Sequence, residues 1–82
     1  MTSAEGLKQY LKNELTNKRA QLGISQERMS ESLSISLRSY SNLEHGRYCC
    51  SLTTFINYVN CFDVDKDKLF ADLADILNQD EE

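Results

Sequence analysis

Apolar residues recur at intervals of three and four along almost the whole chain, and no stretch alternates with period two for long. That is the signature of amphipathic helices. Leu7, Leu11, Leu15 and Leu22 fall on one stripe with Arg19 among them, so residues from about 5 to 22 read as a first helix. Gly23 ends it, because glycine reaches the left-handed backbone at little cost. Ser25 then caps a second helix, about 26 to 33, with Ile24 and Met29 at the spacing of a hydrophobic staple and Leu33 completing the inner face. Ser36 caps a third, about 37 to 45, where Ile35 and Tyr40 repeat the staple and Gly46 makes the stop. Ser51 opens a fourth helix whose expected inner face is Leu52, Phe55, Ile56 and Val59. Phe62-Asp63-Val64 reads as a turn with Asp63 in the left-handed region. Asp65 caps a fifth helix, about 66 to 78, with Leu69, Phe70, Leu73, Ile76 and Leu77 inward, and the acidic residues from Gln79 to Glu82 read as a frayed end. The expectation is an all-α, compact five-helix domain spanning 1–82, with a helix-turn-helix formed by its second and third helices.

Composition narrows the function. The chain has 82 residues, no proline and three glycines, and 40% of it is hydrophobic. That suffices for one modest core but leaves no slack for a separate ligand pocket, so no small-molecule ligand is expected. No dense catalytic constellation is visible, and the reading is of a protein that is not an enzyme and carries no cofactor or metal. His45 has no Asp, Glu or second His at a useful spacing. No run approaches the roughly 18 apolar residues of a membrane span. Met1 to Gly6 lack the features of a secretory signal, and the odd count of cysteines suits a reducing compartment, so a cytoplasmic protein without membrane contact is expected. Cys49 and Cys50 are adjacent, a spacing that fits neither a zinc site nor a redox motif, and with Cys61 they read as small buried hydrophobes. A thiol-based sensor built on the three is the alternative.

Net charge is −4, yet it is unevenly divided. Residues 1–48 hold seven Lys/Arg against five Asp/Glu, whereas residues 49–82 hold two lysines against eight acids. Such asymmetry fits a front that faces a polyanion and a back that faces solvent or a partner.

The run Lys18-x-Arg-x-x-Leu-Gly-Ile-Ser-Gln26, then Leu33-x-Ile-Ser36, then Tyr40-x-x-Leu-Glu-x-Gly46, resembles the lambda-repressor-like (Cro/Xre-type) helix-turn-helix family. Leu52-x-x-Phe-Ile and Phe62-x-Val-Asp-x-x-x-Leu69 are similar to that family's fourth and fifth helices, and the resemblance covers residues 15 to 70, leaving 1–14 and 71–82 as extensions. The chain departs from the pattern at Ser30, where alanine is usual, at Ser34, where glycine is, and at Tyr40, where isoleucine or valine is. Cys49-Cys50 replaces a common proline. Tyr40 is expected to bury its ring and send its hydroxyl to the surface.

The resemblance implies a third helix lying in the major groove of a double-stranded DNA operator. Its outward positions are Leu37, Arg38, Ser41 and Asn42: Arg38 suits a bidentate pair with guanine, Asn42 one with adenine, and Leu37 a thymine methyl. Gln26 inherits by position a grip on the DNA backbone, and Ser36 stands at a helix start where backbone N–H groups favour phosphate. Ser39, His45 and Arg47 are further phosphate candidates. The family also pairs an arginine and a glutamate at the positions of Arg19 and Glu44 as a largely buried ion pair. The implied function is a transcriptional regulator, most simply a repressor, acting as a homodimer through Leu7, Tyr10 and Leu11 of the first helix and Leu73, Ile76 and Leu77 of the fifth, unless those residues pack on each other within one chain. The alternative is a protein-interaction module of the same fold, serving an antitoxin or antirepressor partner.

Overall fold

The computed structural model describes residues 3–79. Of the frayed end expected over Gln79 to Glu82, Gln79 is instead the last residue of the fifth helix and residues 80–82 lie outside the described ones. Five helices follow one another without a strand among the described residues: α1 (Ser3–Leu22), α2 (Gln26–Ser32), α3 (Leu37–Glu44), α4 (Leu52–Cys61) and α5 (Lys66–Gln79). Each start after the first is capped as its sequence dictates. The hydroxyls of Ser25, Ser36 and Ser51 accept the backbone N–H of Arg28, Ser39 and Thr54, and the Asp65 carboxylate accepts that of Lys68 at 3.1 Å. Each such cap contributes about 1 kcal/mol. Both staples close as well: Met29 and Tyr40 have no exposed surface, and Ile24 and Ile35 pack against the core beside them.

The first three helices end in the same way. At Gly23, Ser34 and Gly46 the backbone turns left-handed, with φ of 67°, 59° and 71°. The next residue's N–H then bonds to the carbonyl five positions back: Ile24 to Arg19, Ile35 to Ser30 and Arg47 to Asn42. This doubly bonded stop satisfies carbonyls the helix leaves open. Two of the three positions are glycine; Ser34 bears the cost of its Cβ. Asp63, expected to be left-handed, is not: Ser34 is the one non-glycine with positive φ among the described residues. The chain instead leaves α4 extended, at φ −119° and ψ 149° for Phe62. The Asp63 carbonyl accepts from Lys18 Nζ at 2.8 Å.

Leu15, Met29, Leu33, Tyr40, Leu43 and Tyr58 form the core. Ser30 is buried where α2 meets it, its hydroxyl donating to the Glu27 carbonyl at 2.7 Å. The apolar stripes overreach in three places. Leu22, at the last residue of α1, stays 49% exposed. In α4 the buried pair is Thr54 and Tyr58, while Leu52 and Ile56 face solvent. Tyr58 takes the inward place because its ring fills the core and its hydroxyl donates to the Glu14 carboxylate at 2.6 Å. In α5 only Leu69 is fully buried, and Phe70 and Leu77 face outward. Tyr10 on α1 donates to Asp72 on α5 at 2.8 Å. The ends of these two helices therefore pack on each other within one chain. Substituting Ser34→Gly should relieve the left-handed strain and stabilise the fold by about 0.5–1 kcal/mol, a rise in Tm of several degrees for a chain this small, read by thermal melting.

Candidate nucleic-acid interface

Helix α3 stands on the rest of the molecule through Tyr40, Leu43 and Glu44, all buried. That periodicity leaves Leu37, Arg38, Ser41 and Asn42 on the opposite side, where together with Gln26, Arg47 and Tyr48 they line one open groove. Two arginines and no carboxylate line it. The structure thus brings the four side chains expected to read bases into a single surface, along with two of those expected to hold phosphate.

The other three phosphate candidates fall elsewhere. The Ser36 hydroxyl is engaged as the α3 cap and lies 2.9 Å from the Ser39 hydroxyl. Ser39 itself lines a second opening with Ile35, Leu43 and Cys49, which meets the groove at Tyr48. His45 folds its ring back onto its own helix, Nδ1 standing 2.7 Å from the Ser41 carbonyl. Tyr48 is a groove residue the sequence reading missed: it is 56% exposed and lies two residues beyond the Gly46 stop. The reversal of the chain at Gly46 is the one signal that could have placed it there.

Asn42 is already occupied on one side. Arg47 donates from Nη1 to its carboxamide oxygen at 2.8 Å, and that oxygen is the acceptor a bidentate adenine pair requires. Arg38, by contrast, makes no hydrogen bond or ion pair among the described residues, and its head is exposed.

Beneath the groove lies a carboxylate with several donors. Arg19 Nε donates to Glu44 Oε2 at 2.7 Å and Nη2 to Oε1 at 3.2 Å; the Glu44 side chain is only 6% exposed against 27% for Arg19. Gln26 Nε2 reaches Oε1 at 3.0 Å. Tyr40, whose hydroxyl was expected at the surface, instead donates it to Glu44 inside the protein. The reason is geometric: Tyr40 and Glu44 sit four apart on one helix face, and a buried phenol needs an acceptor. Burial by itself would raise the Glu44 carboxyl, but the hydrogen bonds from Arg19, Tyr40 and Gln26 outweigh it and hold it below its ordinary value. Burial first, then the Glu44 carboxylate, pushes the Tyr40 phenol far up; burial and Glu14 do the same at Tyr58.

No cluster of three or more His, Cys, Asp or Glu among the described residues could hold a metal ion, and no described helix is long and apolar enough to cross a membrane. The three thiols are free; Cys49 and Cys61 are exposed, and burial pushes the Cys50 thiol up. A raised thiol is a poor nucleophile.

A family model described as a helix-turn-helix domain matches residues 13–76. The chain belongs to this family. No curated protein and no solved structure matches it. As a helix-turn-helix domain it has α2 as the supporting helix and α3 as the exposed second helix, the element that members of this fold class place against DNA.

Two outcomes test the buried network. Arg19→Ala leaves the Glu44 carboxylate short of its charged partner and should cost about 3 kcal/mol, toward the low end for a broken buried pair because the guanidinium is partly in water. Arg38→Ala should leave the thermal midpoint unchanged, and equal midpoints for the two variants would refute this. The depressed carboxyl contributes stability above its ordinary value near 4.5, lost as pH falls through the folded value. The gap in Tm between the wild type and Glu44→Gln should therefore narrow as pH is lowered from neutrality to below 4.

Proposed function

We propose that this helix-turn-helix domain is a sequence-specific DNA-binding transcriptional regulator of the lambda-repressor-like, Cro/Xre type. It is a cytoplasmic, non-enzymatic protein that represses by occupying an operator as a homodimer, with 1–82 as one domain. The observation that carries this reading is the groove on α3, where Leu37, Arg38, Ser41 and Asn42 emerge together between two arginines, with no acid lining it. Glu44, the acid on that helix, is turned inward and paired. The face that meets the duplex is therefore cationic even though the chain as a whole is at −4.

Arg38 supplies a bidentate donor fork for guanine O6 and N7. Gln26 is the backbone clamp, its carboxamide held by Glu44. Arg47 has two parts to play: it faces phosphate, and it steadies Asn42 by donating to its carboxamide oxygen. The Asn42 oxygen keeps a second lone pair, which an adenine N6–H can use while Arg47 remains bonded to the first. Ser36, Ser39 and His45 lie outside the groove, so in this reading the phosphate contacts fall to Gln26 and Arg47, which line it. The low total charge keeps non-specific affinity weak, so discrimination rests on these base contacts.

Selection of bound sites from a random duplex library tests it. A short inverted repeat should be enriched, with affinity falling steeply as salt rises. Arg38→Ala should cost about 1–3 kcal/mol on the selected site and relax preference at one base pair per half-site. Arg47→Ala should weaken binding to all sequences and lower the salt slope by about one. Failure to enrich any sequence at low salt would overturn the regulator and favour the protein-interaction module, for which the acid-rich half from residue 49 onward is suited.

A further inference from the structure

The residues of α1 from Ser3 to Lys12 precede the stretch 13–76 that the family model covers, and they include two lysines without partners. Neither Lys8 nor Lys12 makes a hydrogen bond or ion pair among the described residues, yet both are partly buried. Their stems therefore lie along the protein while the ammonium ends stay in water. What they lie along is the connector from Gly46 to Cys50, which leads out of α3. A Cβ placed on Gly46 would stand 3.5 Å from Lys12 Cδ. Two turns earlier on α1, the Ala4 carbonyl accepts from the Cys49 thiol at 3.9 Å. Between these contacts, Leu7 and Leu11 share an opening with Cys49 and Cys50.

Ala4, Lys8 and Lys12 recur every four residues and so share one face of α1. With Lys12 at Gly46 and Ala4 at Cys49, the two segments run antiparallel, and Lys8 falls midway, level with Arg47 and Tyr48. The lengths agree: eight helical residues rise about 12 Å, and three residues of chain span at most about 10 Å. Arg47 and Tyr48 line the α3 groove. The two lysines of α1 thus stand beside the end wall of that groove.

We propose that Lys8 and Lys12 are a second footing for the DNA backbone, holding the phosphates that flank those held by Gln26 and Arg47. The choice of ligand rests on the DNA-binding reading; the location of the footing does not. Charge supports it. The connector from Gly46 to Cys50 contains Arg47 and no acid, and Glu5 is the one acid between Ser3 and Asn13. An ammonium is a compact point charge without the fork that reads a base edge, so it suits a phosphodiester oxygen.

A lysine beside the last turn of a helix also serves that helix's dipole, and Lys12 lies by the stop of α3. That role alone would stabilise the fold and leave the strength of DNA binding untouched. Lys8, one turn further along α1, has no helix end to serve. The two roles therefore separate by measurement. As a footing, each lysine releases counterions from the duplex and steepens the dependence of affinity on salt without altering which sequence is preferred.

Fluorescence anisotropy of the full chain on its selected site and on a duplex of random sequence, from about 50 to 200 mM salt, tests the assignment. Lys8→Gln and Lys12→Gln should each lower the slope of log affinity against log salt by about 0.9, and the double variant by about 1.8. The preferred sequence and the Tm should not change. Lys8→Arg, which keeps the charge, should retain the wild-type slope, and Lys66→Gln, on α5, should leave it unchanged. A double variant with the wild-type slope on the selected site overturns the footing and leaves the regulator standing. A Lys12→Gln variant that melts lower at an unchanged slope overturns it too, assigning that lysine to the end of α3. A wild type that binds duplex without preferring any sequence, its slope still falling in both variants, sinks the regulator and keeps the footing.

Discussion

A single carboxylate holds the working parts of this molecule in register. Glu44, at the last turn of α3, takes hydrogen bonds from Arg19 on α1, Gln26 at the start of α2 and Tyr40 on its own helix. Three helices that share little sequence proximity are thus fixed about one charged group. A buried ion pair adds little net stability over an apolar contact, but losing one partner is costly. Here the cost falls on orientation as well: any tilt of α3 relative to α1 lengthens several hydrogen bonds at once. The pitch of the exposed helix is set from beneath, by groups that never reach the groove, Gln26 excepted. Because Gln26 touches both, the rigidity of the core extends to the first residue that DNA would meet.

Much of the fold was legible because its boundaries are local chemistry. Ser25, Ser36 and Ser51 cap as serines do, and Gly23 and Gly46 turn left-handed where glycine turns cheaply. Ser34 was harder, being a non-glycine at a left-handed site, and only the family pattern pointed there. Asp63 shows the limit of residue type: aspartate tolerates the left-handed region but does not demand it, and an extended exit served once Lys18 had bonded its carbonyl. The inner face of α4 was misread because hydrophobicity ranks Leu52 and Ile56 above Thr54 and Tyr58. A tyrosine with a carboxylate waiting 44 residues away makes the better core residue, and no local pattern announces that partner.

The candidate site divides the same way. Leu37, Arg38, Ser41 and Asn42 share a face because helical spacing puts them there, and that is arithmetic. The engagement of Asn42 by Arg47, and the arrival of Tyr48 at the groove, depend on how the chain turns after Gly46. Those are tertiary facts. The alternation of roles within α3 is equally plain in hindsight: buried Tyr40, Leu43 and Glu44 are interleaved with the outward residues, so each substitution on this helix tests either foundation or reading surface, seldom both.

Helix α1 is built as a ladder. Tyr10, Glu14 and Lys18 follow one another at intervals of four and engage, in turn, Asp72 of α5, Tyr58 of α4 and the Asp63 carbonyl between them; one residue on, Arg19 engages α3. The rungs nearest the amino end thus hold the last helix, and those nearest the carboxyl end hold the helix that carries the groove. Fraying that starts at the first turn therefore loosens α5 while the Arg19–Glu44 junction is still closed. The packing of α5 on α1 can come apart before the reading face loses its shape.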